Sequence, residues 1–144
     1  MYIFDFDHTL KMDNNKPAPE AVKAVADAAR SGRVALASAG KYDSYKRKWL
    51  KQYFPDNLGK IVDTDAFQSS QKDKAKSIEK IMKFFGIPVS CGVLIDDSSS
   101  NENYATKAGA SFQKVDGKVG VAEADIMSAI VKVRQHCNAA ALEE

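Results

Sequence analysis

The sequence predicts an α/β domain, a three-layer sandwich built on a mainly parallel five-stranded sheet. Two observations carry this expectation. Short apolar runs that read as strands alternate with amphipathic runs of helical period, the pattern of a parallel sheet covered on both faces. Three of the apolar runs end in polar residues (Asp5 with Asp7, then Ser38, then Asp96 with Asp97), and in such sheets functional groups collect at the carboxyl ends of the strands. With 144 residues, 44% of them hydrophobic, the chain is long enough for one domain with a sizeable core. That domain is expected over residues 1–138, with 139–144 set aside as a disordered or cloning-derived tail.

Taken in order, Tyr2 to Phe4 reads as a buried strand, because aromatic and β-branched residues suit a covered pleated surface. After a polar turn, Pro17 and Pro19 lead into a helix over Glu20 to Arg30, striped by Val22, Val25, Ala26 and Ala29 and closed by Gly32. Arg33 to Ser38 is a second strand. Asp43 to Phe54 is a helix with Tyr45, Trp49 and Tyr53 on one face and Lys46, Arg47, Lys48 and Lys51 elsewhere. A third strand is expected near Ile61-Val62, with Asp63-Thr64-Asp65 as its polar end. Lys72 to Phe85 is a helix stopped by Gly86, and Cys91 to Ile95 a fourth strand. Glu102 to Ala108 is a short helix, Ser111 to Val115 a weak fifth strand, and Val121 to Cys137 the last helix.

Composition excludes several classes. A net charge of +2 is too small to imply nucleic acid or a membrane by itself. No apolar run reaches the roughly 18 residues of a transmembrane helix, and the N-terminus is not a secretory signal. Cys91 and Cys137 are too few for a disulfide framework or a cysteine-rich zinc site, which makes the cytoplasm the default location. A Walker loop is excluded because position 35 is Ala and position 42 is Tyr, and no G-x-G-x-x-G occurs.

In an extended segment Asp5 and Asp7 point the same way and would repel unless a cation or shared proton relieved them. Oxygen ligands of this kind suit Mg²⁺, although the pair alone is equally a strand running into a polar turn. Acids, a hydroxyl at Ser38, lysines at 72, 74 and 76 and then Asp96-Asp97 together make a site for a phosphoryl group. One carboxylate can attack phosphorus while a second handles the proton, and Lys and Ser contacts with a metal stabilise the transferring oxygens. A receiver domain, which uses similar groups, places its lysine after the acid pairs rather than before the last of them.

Phe4-Asp5-Phe6-Asp7-His8-Thr9-Leu10 resembles the DxDxT motif I of the haloacid dehalogenase (HAD) superfamily. Val34 to Ser38 looks like its motif II, a lysine within Lys72 to Lys76 its motif III, and Asp96-Asp97-Ser98-Ser99-Ser100-Asn101 the DDxxxN form of its motif IV. The resemblance covers residues 2 to about 115 and implies a Rossmann-like HAD domain. It also implies a Mg²⁺-dependent phosphomonoester hydrolase acting through an aspartyl-phosphate. Asp5 would be nucleophile and metal ligand; Asp7 would be general acid/base and is counted among the metal-side acids with Asp96 and Asp97. Ser38 and Thr9 would serve the phosphate, Asn101 would support the metal, and Lys74 is preferred to Lys72 and Lys76 by counting back from Gly86.

The short gaps between motifs imply a member without a cap, with an open site suited to a nucleic-acid end, phosphoprotein or sugar phosphate. The zinc-binding cysteines of some capless sugar-phosphate phosphatases are absent. A non-catalytic binding module of the same fold, or a phosphotransferase using the same residues, are the alternatives. His8 is kept out of the catalytic set, and the basic stretch Lys41 to Lys51 is read first as a solvated helix face and second as a border of the site.

Overall fold

The computed structural model describes residues 1–143; Glu144 and the side chains of 138–144, and so the side chains of the expected tail, lie outside the described residues. Five strands, β1 (Tyr2–Phe4), β2 (Val34–Ala37), β3 (Phe67–Gln68), β4 (Val93–Asp96) and β5 (Ser111–Lys114), form one sheet in the order β3-β2-β1-β4-β5. Every pairing is parallel. The helices are α1 (Ala21–Ser31), α2 (Asp43–Tyr53), α3 (Lys74–Phe85), α4 (Glu102–Ala108) and α5 (Glu123–Glu143).

Strand alternation splits the core into two layers. Tyr2, Phe4, Leu36, Val93 and Ile95 face α1, α2 and α5 through Val25, Trp49, Leu50 and Ile126. Ile3, Ala35, Ala37 and Leu94 face α3 and α4 through Ile78, Ile81, Met82 and Ala105. Trp49 is therefore a core residue, set edge-on to Phe6 at 5.1 Å. Its helical neighbour Tyr45 is exposed instead.

Register fixes where the chemistry lies. Phe4 is level with Leu36 on one side and Ile95 on the other, so Asp5, Ser38 and Asp96 emerge at the same sheet edge. Between β1 and β2 there is one helix; between β2 and β4 there are α2, a 3-10 turn, β3, α3 and a second 3-10 turn at Val89–Cys91.

The third strand is displaced from its expected place. Ile61 and Val62 follow a 3-10 turn (Leu58–Lys60), and β3 forms at Phe67–Gln68. The Asn57 side chain accepts from the Leu58 N–H, Lys60 donates to Asn57, Ile61 to Leu58 and Thr64 to Ile61. Backbone groups satisfied in successive turns have none left for a ladder. Asp63-Thr64-Asp65 is accordingly the turn that enters β3 rather than a strand end.

Cys91 and Cys137, too few for a framework, nevertheless pair with each other. Their disulfide ties the turn before β4 to α5, with Cα atoms 4.4 Å apart. Among the described residues no helix is long and apolar enough to cross a membrane.

Candidate active site

Asp5 follows β1 directly, and its N–H donates to the Ile95 carbonyl at 3.0 Å, which locks it beside β4. Lys74 is the first residue of α3, whose N-terminus is capped by the Asp73 carboxylate accepting from the Ala75 N–H. From there its ammonium bridges two acids, donating to Asp5 Oδ1 at 2.8 Å and to Asp96 Oδ2 at 2.7 Å. Lys72 and Lys76 are exposed. Asp96 is fully buried and spends its remaining lone pairs on the Asn101 amide and the Ser98 N–H, both at 2.9 Å.

Asp5, Asp96 and Asp97 each offer a carboxylate oxygen within 4.8 Å of the others. Three acids against one lysine leave excess negative charge in a low-dielectric place. Burial first, and then the Asp96 charge, push the Asp5 carboxyl up to about 7, although Lys74 opposes both. Burial pulls Lys74 down, but the attraction of Asp5 and Asp96 outweighs it and leaves the ammonium above its ordinary value. An all-oxygen donor set with uncompensated charge fits a hard divalent cation such as Mg²⁺.

On the other side, Ser38 at the end of β2 accepts a hydrogen bond from Lys46 Nζ at 2.9 Å. The same ammonium donates to Gly40 O at 2.6 Å and to Ser69 Oγ at 2.9 Å. Lys46 is buried and its contacts are neutral; burial lowers its pKa, and the more distant Asp7, Asp43 and Asp5 counter that. Because Lys46 fills a lone pair of Ser38, the Ser38 hydroxyl proton is left to donate elsewhere.

No family model and no curated protein matches the sequence. Solved structures do match. A 3-deoxy-D-manno-octulosonate 8-phosphate phosphatase from Moraxella catarrhalis, in complex with magnesium ion, phosphate ion and KDO, is similar at TM-score 0.55 and 12% identity, over 98% of this chain and 89% of that one. The cobalt-bound form of a deoxy-D-mannose-octulosonate 8-phosphate phosphatase from Haemophilus influenzae gives 0.53 and 15%, over 93% and 88%. A HAD hydrolase of family IA, variant 3, from Entamoeba histolytica gives 0.55 and 14%, over 85% and 64%.

The chain has the haloacid dehalogenase fold.

Within this HAD fold, two residues sit differently from their expected places. Thr9 is fully buried and its hydroxyl donates to Asp5 Oδ2 at 3.4 Å, which turns it towards that carboxylate. The Asp7 side chain is 57% exposed, pairs with Lys11 at 3.6 Å and lies outside the acid cluster. The physical reason is that β1 ends at Phe4, so same-side alternation does not extend to Asp7. Between them the chain turns sharply: the Phe6 carbonyl accepts from Leu10 and Lys11, and His8 takes a positive φ of 62°. His8 itself faces Asp13 at 3.6 Å.

Two residues near these side chains carry little signal in the sequence. Lys46 lies in a basic stretch that resembles a solvated face, and only its position eight residues after Ser38 at the start of a helix hints otherwise. Gly117 has no local signal; a Cβ there would come within 3.0 Å of Asp97 Oδ2, so its bare backbone makes room for that carboxylate.

Proposed function

We propose that this chain is a Mg²⁺-dependent phosphomonoesterase that works through an aspartyl-phosphate on Asp5. The observation that carries the reading is the Asp5–Lys74–Asp96 bridge with Asp97 alongside, set at the strand ends of a fold shared with phosphatases. Asp5, Asp96 and Asp97 would hold the metal, which supplies positive charge to the transferring oxygens when bound.

The chain's own residues account for the rest. An Asp5 carboxylate oxygen forms a bond to phosphorus as the ester P–O bond breaks, and Asp7 gives its proton to the departing oxygen. Water then attacks phosphorus, the Asp5–phosphorus link breaks, and Asp7 takes the water's proton back. Thr9 holds Asp5 in line, Lys74 offsets the charge beside it, and Ser38 directs its proton at the phosphoryl group. The exposed Asp7 and the lack of an inserted segment around it support an open, capless site reached by varied phosphorylated substrates. Disulfides persist in oxidising surroundings, so the Cys91–Cys137 pair weighs against the cytoplasmic placement expected from the sequence.

The test is phosphate release from an aryl phosphate with and without Mg²⁺, comparing the native chain with Asp5→Asn. Metal-dependent release that falls by about a thousandfold or more in Asp5→Asn, with its circular dichroism unchanged, is expected. Release that survives Asp5→Asn would remove Asp5 from the nucleophile's role.

A further inference from the structure

A cavity of about 390 Å³ opens on the side of Asp7, with Phe6 and Lys46 in its wall and Lys11, Lys41, Tyr42 and Tyr45 around it. This is a typical size for a small-ligand site. If Asp7 protonates the departing oxygen, the remainder of the ester must lie on Asp7's side, which is this cavity. The inference therefore rests on the reading above.

Its lining is unusual in two respects. Tyr42 is 79% exposed and holds a left-handed backbone, φ 74° and ψ 50°, immediately before α2. A bulky residue at positive φ is strained and persists only where its surroundings over-determine it. Here they do: the Gly40 carbonyl accepts from Lys46 Nζ and from the Ser70 N–H, and the Ser70 hydroxyl donates to Asp43 Oδ1 at 2.8 Å. No core contact requires this, since the ring stands in solvent. Tyr45 presents a second ring from the next turn of α2, its hydroxyl reaching Asn15 Oδ1 at 3.4 Å.

The charge is equally one-sided. Lys11, Lys41 and Lys46 line the cavity against Asp7 alone. Lys11 is paired with Asp7, Lys46 meets only neutral acceptors, and Lys41 has no ion pair among the described residues.

We propose that this cavity is the leaving-group subsite, and that it takes a phosphomonoester whose leaving group carries an aromatic ring and a further negative charge, as in a nucleoside bisphosphate. Tyr42 and Tyr45 supply stacking faces, while Lys41 answers the second charge. A neutral polyol phosphate would leave both unused.

The experiment compares kcat/KM for four substrates with Mg²⁺: glycerol phosphate, with neither feature; AMP, with the ring; a sugar bisphosphate, with the second charge; and an adenosine bisphosphate, with both. The adenosine bisphosphate is expected to exceed glycerol phosphate by about a hundredfold, stacking alone being worth roughly tenfold. Tyr42→Ala should cut the AMP to glycerol phosphate ratio by about tenfold, Tyr42→Phe should keep it, and Lys41→Ala should cut the advantage of the two bisphosphates. Equal efficiency on all four would overturn the subsite and leave the phosphatase standing. Hydrolysis of none, aryl phosphate included, would remove the phosphatase reading and the subsite with it.

Discussion

Replacing Lys74 by Met tests the electrostatic argument for the site most directly. The stem of the side chain is kept and the ammonium removed, leaving Asp5 and Asp96 with no cation at 2.8 and 2.7 Å. The lysine is 2% exposed and Asp96 not at all, so water cannot take its place. Breaking a buried pair by deleting one partner costs about 3–5 kcal/mol, because the other charge stays buried and unpaired. For a chain of this length, that is roughly a 10–15 °C fall in Tm. The assay is urea unfolding at pH 8 in the presence of a chelator, with Lys72→Met and Lys76→Met as exposed controls expected within about 0.5 kcal/mol of the native chain. Adding Asp5→Asn to Lys74→Met should recover about 1 kcal/mol or more, since it removes one of the stranded charges. The sign with pH also follows. Without Lys74 the native Asp5 binds its proton more tightly still, so the variant's deficit should shrink as pH falls from 8 towards 5. A loss below about 1 kcal/mol at pH 8 with an unchanged m-value would refute the premise that these acids are charged, buried and held by this lysine.

Lys46→Met should weaken binding of orthovanadate by about tenfold while Lys46→Arg keeps most of it, measured by inhibition of aryl phosphate release. Because burial lowers the Lys46 pKa, the native chain should lose vanadate affinity at a lower alkaline pH than Lys46→Arg, whose charge does not titrate. Gly120→Ala would set a Cβ 2.3 Å from Ala18 Cβ and 2.9 Å from the Thr9 carbonyl at φ +77°. A cost of about 2 kcal/mol or more is expected by urea titration, and a neutral result would mean that the Thr9 loop yields freely. Reduction of the Cys91–Cys137 bond, which closes a separation of 46 residues, should lower stability by up to about 4 kcal/mol in denaturant titrations with and without reductant.

Sequence alone determined the architecture and most of the acid cluster. Strand and helix periods differ so clearly that four strands and all five helices fall close to their expected places, with α4 at Glu102–Ala108 matching its expected bounds. Asp5, Asp96, Asp97 and Lys74 were legible because they stand at strand ends and a helix start, where backbone geometry aims a side chain with little help from the rest of the chain. The third strand was not legible: Ile61 and Val62 are apolar enough for a strand, but local turns take the Ile61 backbone groups, the Arg47 side chain takes the Val62 carbonyl, and the partner of β2 lies at Phe67. The reversal at Phe6 decides the places of Asp7 and Thr9, turning one carboxylate outward and burying one hydroxyl, which no period-two rule foresees. Lys46 looks like its solvated neighbours until α2 docks against β2 and the loop after β3 folds over it; only then does the ammonium find Ser38, Gly40 and Ser69. The pairing of Cys91 with Cys137 likewise depends on α5 packing beside the turn before β4, a contact between segments far apart in the chain. Local periodicity is written in each segment's own residues, whereas a buried polar contact between segments exists only once the sheet has brought both sides to one edge.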